Sequence, residues 1–96
     1  MIKKNTGEKG ILRITLCDAY NKNSLSKEMM HKLIEVFESS NYDDSIKVII
    51  ISAEGNVFCS GHNLKEINEA KKANDKGESY YLDLFKTCSK LMQLII

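Results

Sequence analysis

The sequence predicts a layered α/β fold in which parallel strands are joined by crossover helices. Two strand-like segments, Gly10–Cys17 and Ile46–Ser52, flank one segment of helical periodicity. Strands separated by a helix pair in parallel through a right-handed crossover. The second strand, with Val48-Ile49-Ile50-Ile51 at its centre, is apolar without alternation, the pattern of a strand covered on both faces in a layered sheet.

Taken in order, Leu12, Ile14 and Leu16 share one face of the first strand, and Arg13 and Thr15 share the other. Asp18 to Asn23 is a polar loop. The first helix follows, with Ser24 or Ser26 as its cap and Glu28 favouring its positive N-terminal end. Leu25, Met29, Leu33 and Phe37 form its apolar stripe, widened by Met30 and Ile34, until Ser39-Ser40-Asn41 and Asp43-Asp44 break the pattern. After the second strand, Glu54-Gly55-Asn56 turns the chain into a short extended piece, Val57-Phe58-Cys59. Ser60-Gly61-His62-Asn63 is a tight turn, and Leu64 opens a short helix. Residues 70–78 are polar and expected to be mobile. A last helix runs from about Glu78 toward Leu94, its stripe formed by Tyr81, Leu84, Phe85, Cys88, Leu91, Met92 and Ile95. The apolar end, Leu94-Ile95-Ile96, reads as a truncation within one larger domain.

Composition narrows the function classes. Ninety-six residues make one small domain at most, with marginal stability expected. Fourteen basic and 13 acidic residues leave a net charge of +1, too balanced to attract nucleic acid or a membrane surface broadly. No apolar run approaches a membrane span, and the N-terminus has neither a signal-peptide core nor the arginine-rich pattern of a transit peptide. The widely spaced Cys17, Cys59 and Cys88 form no CxxC pair, which suits a reducing intracellular compartment.

The informative stretch is Val57 to Glu66, where a strand-like piece enters a small-residue turn and leaves as a helix. Backbone N–H groups at such a turn have no helical partner and can face an incoming oxygen. Gly61 admits unusual backbone angles and a close ligand. The residues alone leave two readings open, an anion or oxyanion site and a plain strand–helix connection.

Phe58-Cys59-Ser60-Gly61-His62-Asn63-Leu64-Lys65-Glu66 resembles the F-C-[AS]-G-x-D-[IL]-K-E motif of the enoyl-CoA hydratase/isomerase (crotonase) family. Asn23-Ser24-Leu25 resembles that family's N-A-L segment, and Val48 to Ser52 its apolar strand. Order and spacing agree over roughly residues 10–95. Together with Phe85 to Met92, the turn resembles a mitochondrial subgroup that carries histidine where many relatives have alanine.

The resemblance implies the N-terminal part of a crotonase-like spiral fold, acting in fatty-acid metabolism, with a mitochondrial location suspected. In the family an acyl-CoA thioester carbonyl accepts two backbone N–H bonds that hold the charge of a developing enolate. Losing one such donor costs roughly 3–4 kcal/mol. Here the first donor falls on the N–H of His62, beside Gly61; the second is expected on a glycine-rich loop beyond Ile96. Lys22, Ser24 and Leu25 match one wall of the CoA site, with Lys22 facing a phosphate and Leu25 lining the pantetheine or adenine path. Ser60, His62, Asn63 and Leu64 match the other. Asn63 stands where the family has an acid, so a contact needing charge there is lost. Coenzyme A arrives as part of the substrate, and no separate cofactor or metal is implied. Family members form trimers or hexamers. The family's acid–base carboxylates also fall beyond Ile96, so hydration at an enzyme-like rate is not expected of these 96 residues alone. The competing reading is a non-catalytic interaction module that uses an exposed apolar helix.

His31, mid-helix, reads as solvated. Cys59 and His62 have no third partner at metal-site spacing, and Cys59 reads as a small buried residue. Asp43-Asp44 and Glu66-Glu69 read as solvated carboxylates rather than an acid–base pair.

Overall fold

A computed structural model describes residues 1–96, apart from the side chain of Glu8. The chain forms strand β1 (Ile2–Thr6), strand β2 (Ile11–Leu16), helix α1 (Lys27–Asn41), strand β3 (Val48–Ala53), helix α2 (Leu64–Ala70) and helix α3 (Glu78–Ile95). The sheet order is β1-β2-β3. β2 and β3 are parallel, with Ile11 opposite Val48 and Leu16 opposite Ala53, as the intervening helix requires.

β1 lies antiparallel to β2, with Ile2 opposite Leu16 and Thr6 opposite Leu12. The sequence reading did not anticipate this strand. Lys3, Lys4 and Asn5 leave no apolar alternation to read, yet such residues suit an edge, where lysine discourages further pairing. The β1–β2 turn depends on Gly10, at φ +78°. A Cβ there would come within 2.7 Å of the Ser45 carbonyl oxygen and 2.8 Å of Lys47 Cγ. The close approach lets Lys47 N–H donate to the Gly10 carbonyl at 2.7 Å, setting the start of β3 against β2.

The core forms where the inner face of the sheet meets α1 and α3. Leu12, Ile14 and Leu16 pack with Met29, Met30, Leu33, Ile34 and Phe37 of α1 and with Leu84 and Leu91 of α3. Ser26, not Ser24, caps α1: its Oγ accepts the Met29 N–H at 3.1 Å. α1 runs on through Ser39 and Ser40, where the apolar pattern breaks. Their hydroxyls donate back into the helix, Ser40 Oγ to the Val36 carbonyl at 2.7 Å, so no backbone group has to leave it.

Two expectations are corrected. β3 is not covered on both faces: Ile49, Ile51 and Ala53 face the core side, while Val48 and Ile50 are 52% and 37% exposed. Among the described residues a helical layer covers only one side of the sheet. The face that α3 turns inward is also rotated from the one expected. Leu84, Thr87 and Leu91 are buried, with Tyr80, Cys88 and Leu94 partly so, whereas Phe85, Met92 and Ile95 remain exposed. The spacing 80, 84, 87, 91, 94 is itself a continuous helical stripe. Competing apolar residues on two adjacent faces leave the choice to the contact with α1, along which Lys27 pairs with Asp83 and Glu38 with Lys90.

Residues 71–77 form successive turns and a bend. Asp75 organises their end, its carboxylate accepting the Gly77 N–H at 3.0 Å and the Ser79 hydroxyl at 2.7 Å. These bonds hold the Asp75 carboxyl below the usual carboxylate range, led by the Ser79 hydroxyl.

Candidate functional site

Two loops leave the carboxyl ends of the parallel strands, 17–26 after β2 and 54–63 after β3. In open α/β sheets the crevice at this end is where ligands bind. The loops are joined by a ladder of hydrogen bonds. Ser60 N–H donates to the Lys22 carbonyl at 3.1 Å, and Leu25 N–H to the Gly61 carbonyl at 2.7 Å. Asn63 Nδ2 donates to Ser24 Oγ at 3.2 Å, and Lys27 N–H to Glu66 Oε2 at 3.2 Å.

Asn23 anchors this ladder from beneath. It is fully buried at φ +54°, a left-handed conformation that asparagine tolerates better than most residues. Its Nδ2 donates to the Glu54 and Val57 carbonyls, both at 2.9 Å, and its Oδ1 accepts the Asp18 N–H at 2.8 Å. One side chain therefore satisfies three backbone groups from both loops. The sequence reading placed Asn23 in a polar loop and missed this role. The usable signal was an asparagine next to Lys22, itself at φ +55°, because consecutive left-handed residues make a tight turn that hides the side chain beneath it.

Above this base lies an open pocket of about 320 Å³, lined by Tyr20, Asn21, Lys22, Ser24, Ser60, His62, Asn63, Leu64 and Lys65. Six of the residues selected from the sequence line it: Lys22, Ser24, Ser60, His62, Asn63 and Leu64. The other two, Leu25 and Gly61, instead build the wall. Leu25 forms a parallel β-bridge with His62 and is partly buried against the core. Tyr20 and Lys65 were not selected. The Lys65 ammonium stands 5.8 Å from the centre of the Tyr20 ring, so the pocket mouth carries an aromatic face and two lysines, Lys22 and Lys65.

The bridge fixes the direction of the turn. The carbonyl before His62 points at the Leu25 strand, and backbone groups alternate, so the His62 N–H points to the opposite side. Among the described residues it donates to no acceptor. Gly61 sits at φ +93°, and a Cβ built there would meet nothing within 4 Å. Glycine is thus needed for backbone conformation, and the space beside it is open. Leu64 is 71% exposed, presenting an apolar surface to the pocket. Asn63 has a structural use that needs no charge: its Oδ1 accepts the Glu66 N–H at 3.1 Å, capping α2. His62 Nδ1 is buried and has no partner among the described residues.

The remaining candidates separate. His31 is exposed on α1, and Asp43 accepts from its neighbour Ser45. Cys59 is only partly buried, and its Sγ accepts the Gly61 N–H at 3.4 Å, so it braces the turn rather than filling the core. Glu69 pairs with Lys72 at the surface, but Glu66 does not face solvent alone; its carboxylate bonds α1 and α3.

Comparison with known proteins agrees with this fold. The sequence model of the enoyl-CoA hydratase/isomerase family matches residues 6–96. The mitochondrial enoyl-CoA hydratase domain-containing protein 3 of Xenopus laevis is 45% identical over 91% of this chain, and that of Homo sapiens 42% over 90%. The chain spans only 28% and 27% of those relatives' lengths. The crystal structure of the human domain-containing protein 3 superposes with a TM-score of 0.79 at 36% identity, covering 96% of this chain and 34% of that one. An enoyl-CoA hydratase from Mycobacterium smegmatis superposes with a TM-score of 0.86 at 32% identity, covering 98% and 35%.

Proposed function

The chain belongs to the enoyl-CoA hydratase/isomerase family and has its crotonase-type fold, and we propose that the pocket at the carboxyl ends of β2 and β3 holds an acyl-CoA thioester, with the His62 N–H polarising the thioester carbonyl. The observation that carries this reading is the unpaired His62 N–H, held outward by the Leu25 bridge beside the open space at Gly61. A carbonyl oxygen placed there gains negative charge as an enolate forms. A donor fixed in advance stabilises that charge by about 3 kcal/mol without reorganising.

The rest of the pocket suits the remainder of such a ligand. Lys22 and Lys65 offer two cations to its phosphates, Tyr20 offers a ring face to its base, and Leu64 an apolar surface to its chain. Ser24 and Asn63 bond one another and hold the two walls at a fixed separation. Within the full-length protein, this half-site would serve hydration, isomerisation or a related enolate route in fatty-acid metabolism. The naming of the relatives as mitochondrial favours the same location here.

The test is titration of the protein with a short-chain acyl-CoA carrying a ¹³C-labelled thioester carbonyl, read by calorimetry and by infrared spectroscopy. Binding should occur with the carbonyl band moved to lower frequency. Exchanging Lys22 and Lys65 together for alanine should weaken binding most at low salt. Gly61→Ala, which strains the turn, should reduce the band shift. Absence of binding by the folded protein would refute the reading; binding with an unmoved carbonyl band would refute the His62 role.

A further inference from the structure

Glu66 lies one helical turn beyond His62 and does not line the pocket. Its Oε2 accepts two hydrogen bonds, from the Lys27 N–H at the start of α1 at 3.2 Å and from the Tyr80 hydroxyl of α3 at 3.0 Å. One oxygen thus joins three helices. The Lys27 ammonium lies over the Tyr80 ring, 4.8 Å from its centre, and also pairs with Asp83. On the pocket side, the Glu66 N–H bonds Asn63 Oδ1, and Asn63 in turn bonds Ser24. Lys27 is two residues from Leu25, whose N–H holds the Gly61 carbonyl. The carboxylate therefore clamps both strands of the ladder at the end where α1 and α2 begin.

We propose that Glu66 and Tyr80 are positioning residues: a carboxylate–phenol latch that keeps the Gly61–His62 turn in register with Leu25 and so keeps the His62 N–H aimed into the pocket. The ligand part of this proposal rests on the acyl-CoA reading above; the latch itself does not. Burial and the Glu66 carboxylate push the Tyr80 phenol up to about 12, so its hydroxyl remains a donor throughout the physiological range. A carboxylate receiving an N–H and an O–H makes charge-assisted bonds, about twice as strong as neutral ones. Without it, α2 keeps its Asn63 cap but loses its tie to α1, and the two loops remain joined by the bonds of Lys22, Asn23, Ser24 and Leu25.

The experiment is amide hydrogen exchange by NMR on the intact protein and on Glu66→Ala, Glu66→Gln and Tyr80→Phe, with a parallel acyl-CoA titration. In Glu66→Ala the Leu25 amide should exchange about tenfold faster, the scale of one charge-assisted bond, while the amides of β2 stay unchanged. Glu66→Gln, which keeps a neutral acceptor, should restore most of the protection. Tyr80→Phe should fall between, and it keeps the test open should Glu66→Ala fail to fold. An unchanged Leu25 amide in these variants, or Leu25 and β2 amides accelerating together, overturns the latch. Acyl-CoA affinity should fall about tenfold in Glu66→Ala; equal affinity in a protein that binds acyl-CoA overturns the ligand part of the proposal. If the unaltered protein binds no acyl-CoA, the functional reading falls, and the exchange result decides the latch by itself.

Discussion

Removing the Asn23 amide should destabilise the protein more than any loop residue's position in the sequence suggests. Three hydrogen bonds end on that buried side chain, from Asp18 and to Glu54 and Val57. At a net contribution of about 1 kcal/mol each, Asn23→Gly loses roughly 3 kcal/mol. Asn23→Ala adds the cost of a Cβ in the left-handed region, about 1 kcal/mol more. Against a total stability of about 5–15 kcal/mol, either loss is large. In urea titration, with a slope near 1–1.5 kcal/mol per molar, the midpoint should fall by roughly 2–3 M in Asn23→Gly and roughly 3–4 M in Asn23→Ala. Asn23→Asp separates hydrogen bonding from packing, because it has the same size. It keeps an acceptor for the Asp18 N–H but turns a carboxylate oxygen toward two carbonyl oxygens, so it should be at least as damaging as Asn23→Gly. If Asn23→Asp unfolds with the unaltered midpoint, or Asn23→Ala loses under about 1 kcal/mol, the reasoning is refuted.

Three further outcomes follow from the same structure. Gly10→Ala forces a Cβ against the Ser45 carbonyl and Lys47 at a φ of +78°, and should cost at least about 2 kcal/mol in thermal or urea unfolding. Ser26→Ala removes the α1 cap and should cost about 1 kcal/mol, whereas Ser24→Ala should leave α1 helicity by circular dichroism unchanged. Because the Tyr80 phenol is raised in the folded state, from 10.0 to about 12, the folded protein holds its proton more tightly than the unfolded chain. The stability it contributes is present below pH 10 and is lost as pH rises toward 12; urea midpoints over that window should fall less steeply in Tyr80→Phe.

Period-2 spacing made β2 legible and helical spacing α1 and α3, because each buries a face whose residues repeat along the chain; β3 was legible only as a short continuous apolar run, which does not say which face is buried. The Val57–Glu66 segment was legible as a site because a glycine turn before a helix leaves backbone donors free, whatever the surroundings. Lys22, Ser24, Ser60, His62, Asn63 and Leu64 could be selected together only through their resemblance to a family, since no local rule brings residues 22–24 to residues 60–64.

What the sequence determined by itself was therefore whatever depends on near neighbours: the strand–helix–strand order, the parallel pairing that this order compels, and the tight turn at Gly61. Tertiary structure decided what depends on partners distant along the chain. The edge strand β1 exists because β2 offers it backbone groups, and its lysines are tolerated because it is an edge. α3 turns Leu84, Thr87 and Leu91 inward, leaving Phe85 outside, because α1 accepts one of two apolar faces. Asn23 and Glu66 look like solvated polar residues until backbone groups from other segments close on them. A buried polar group is stable only when those partners arrive together, and only the assembled fold brings them.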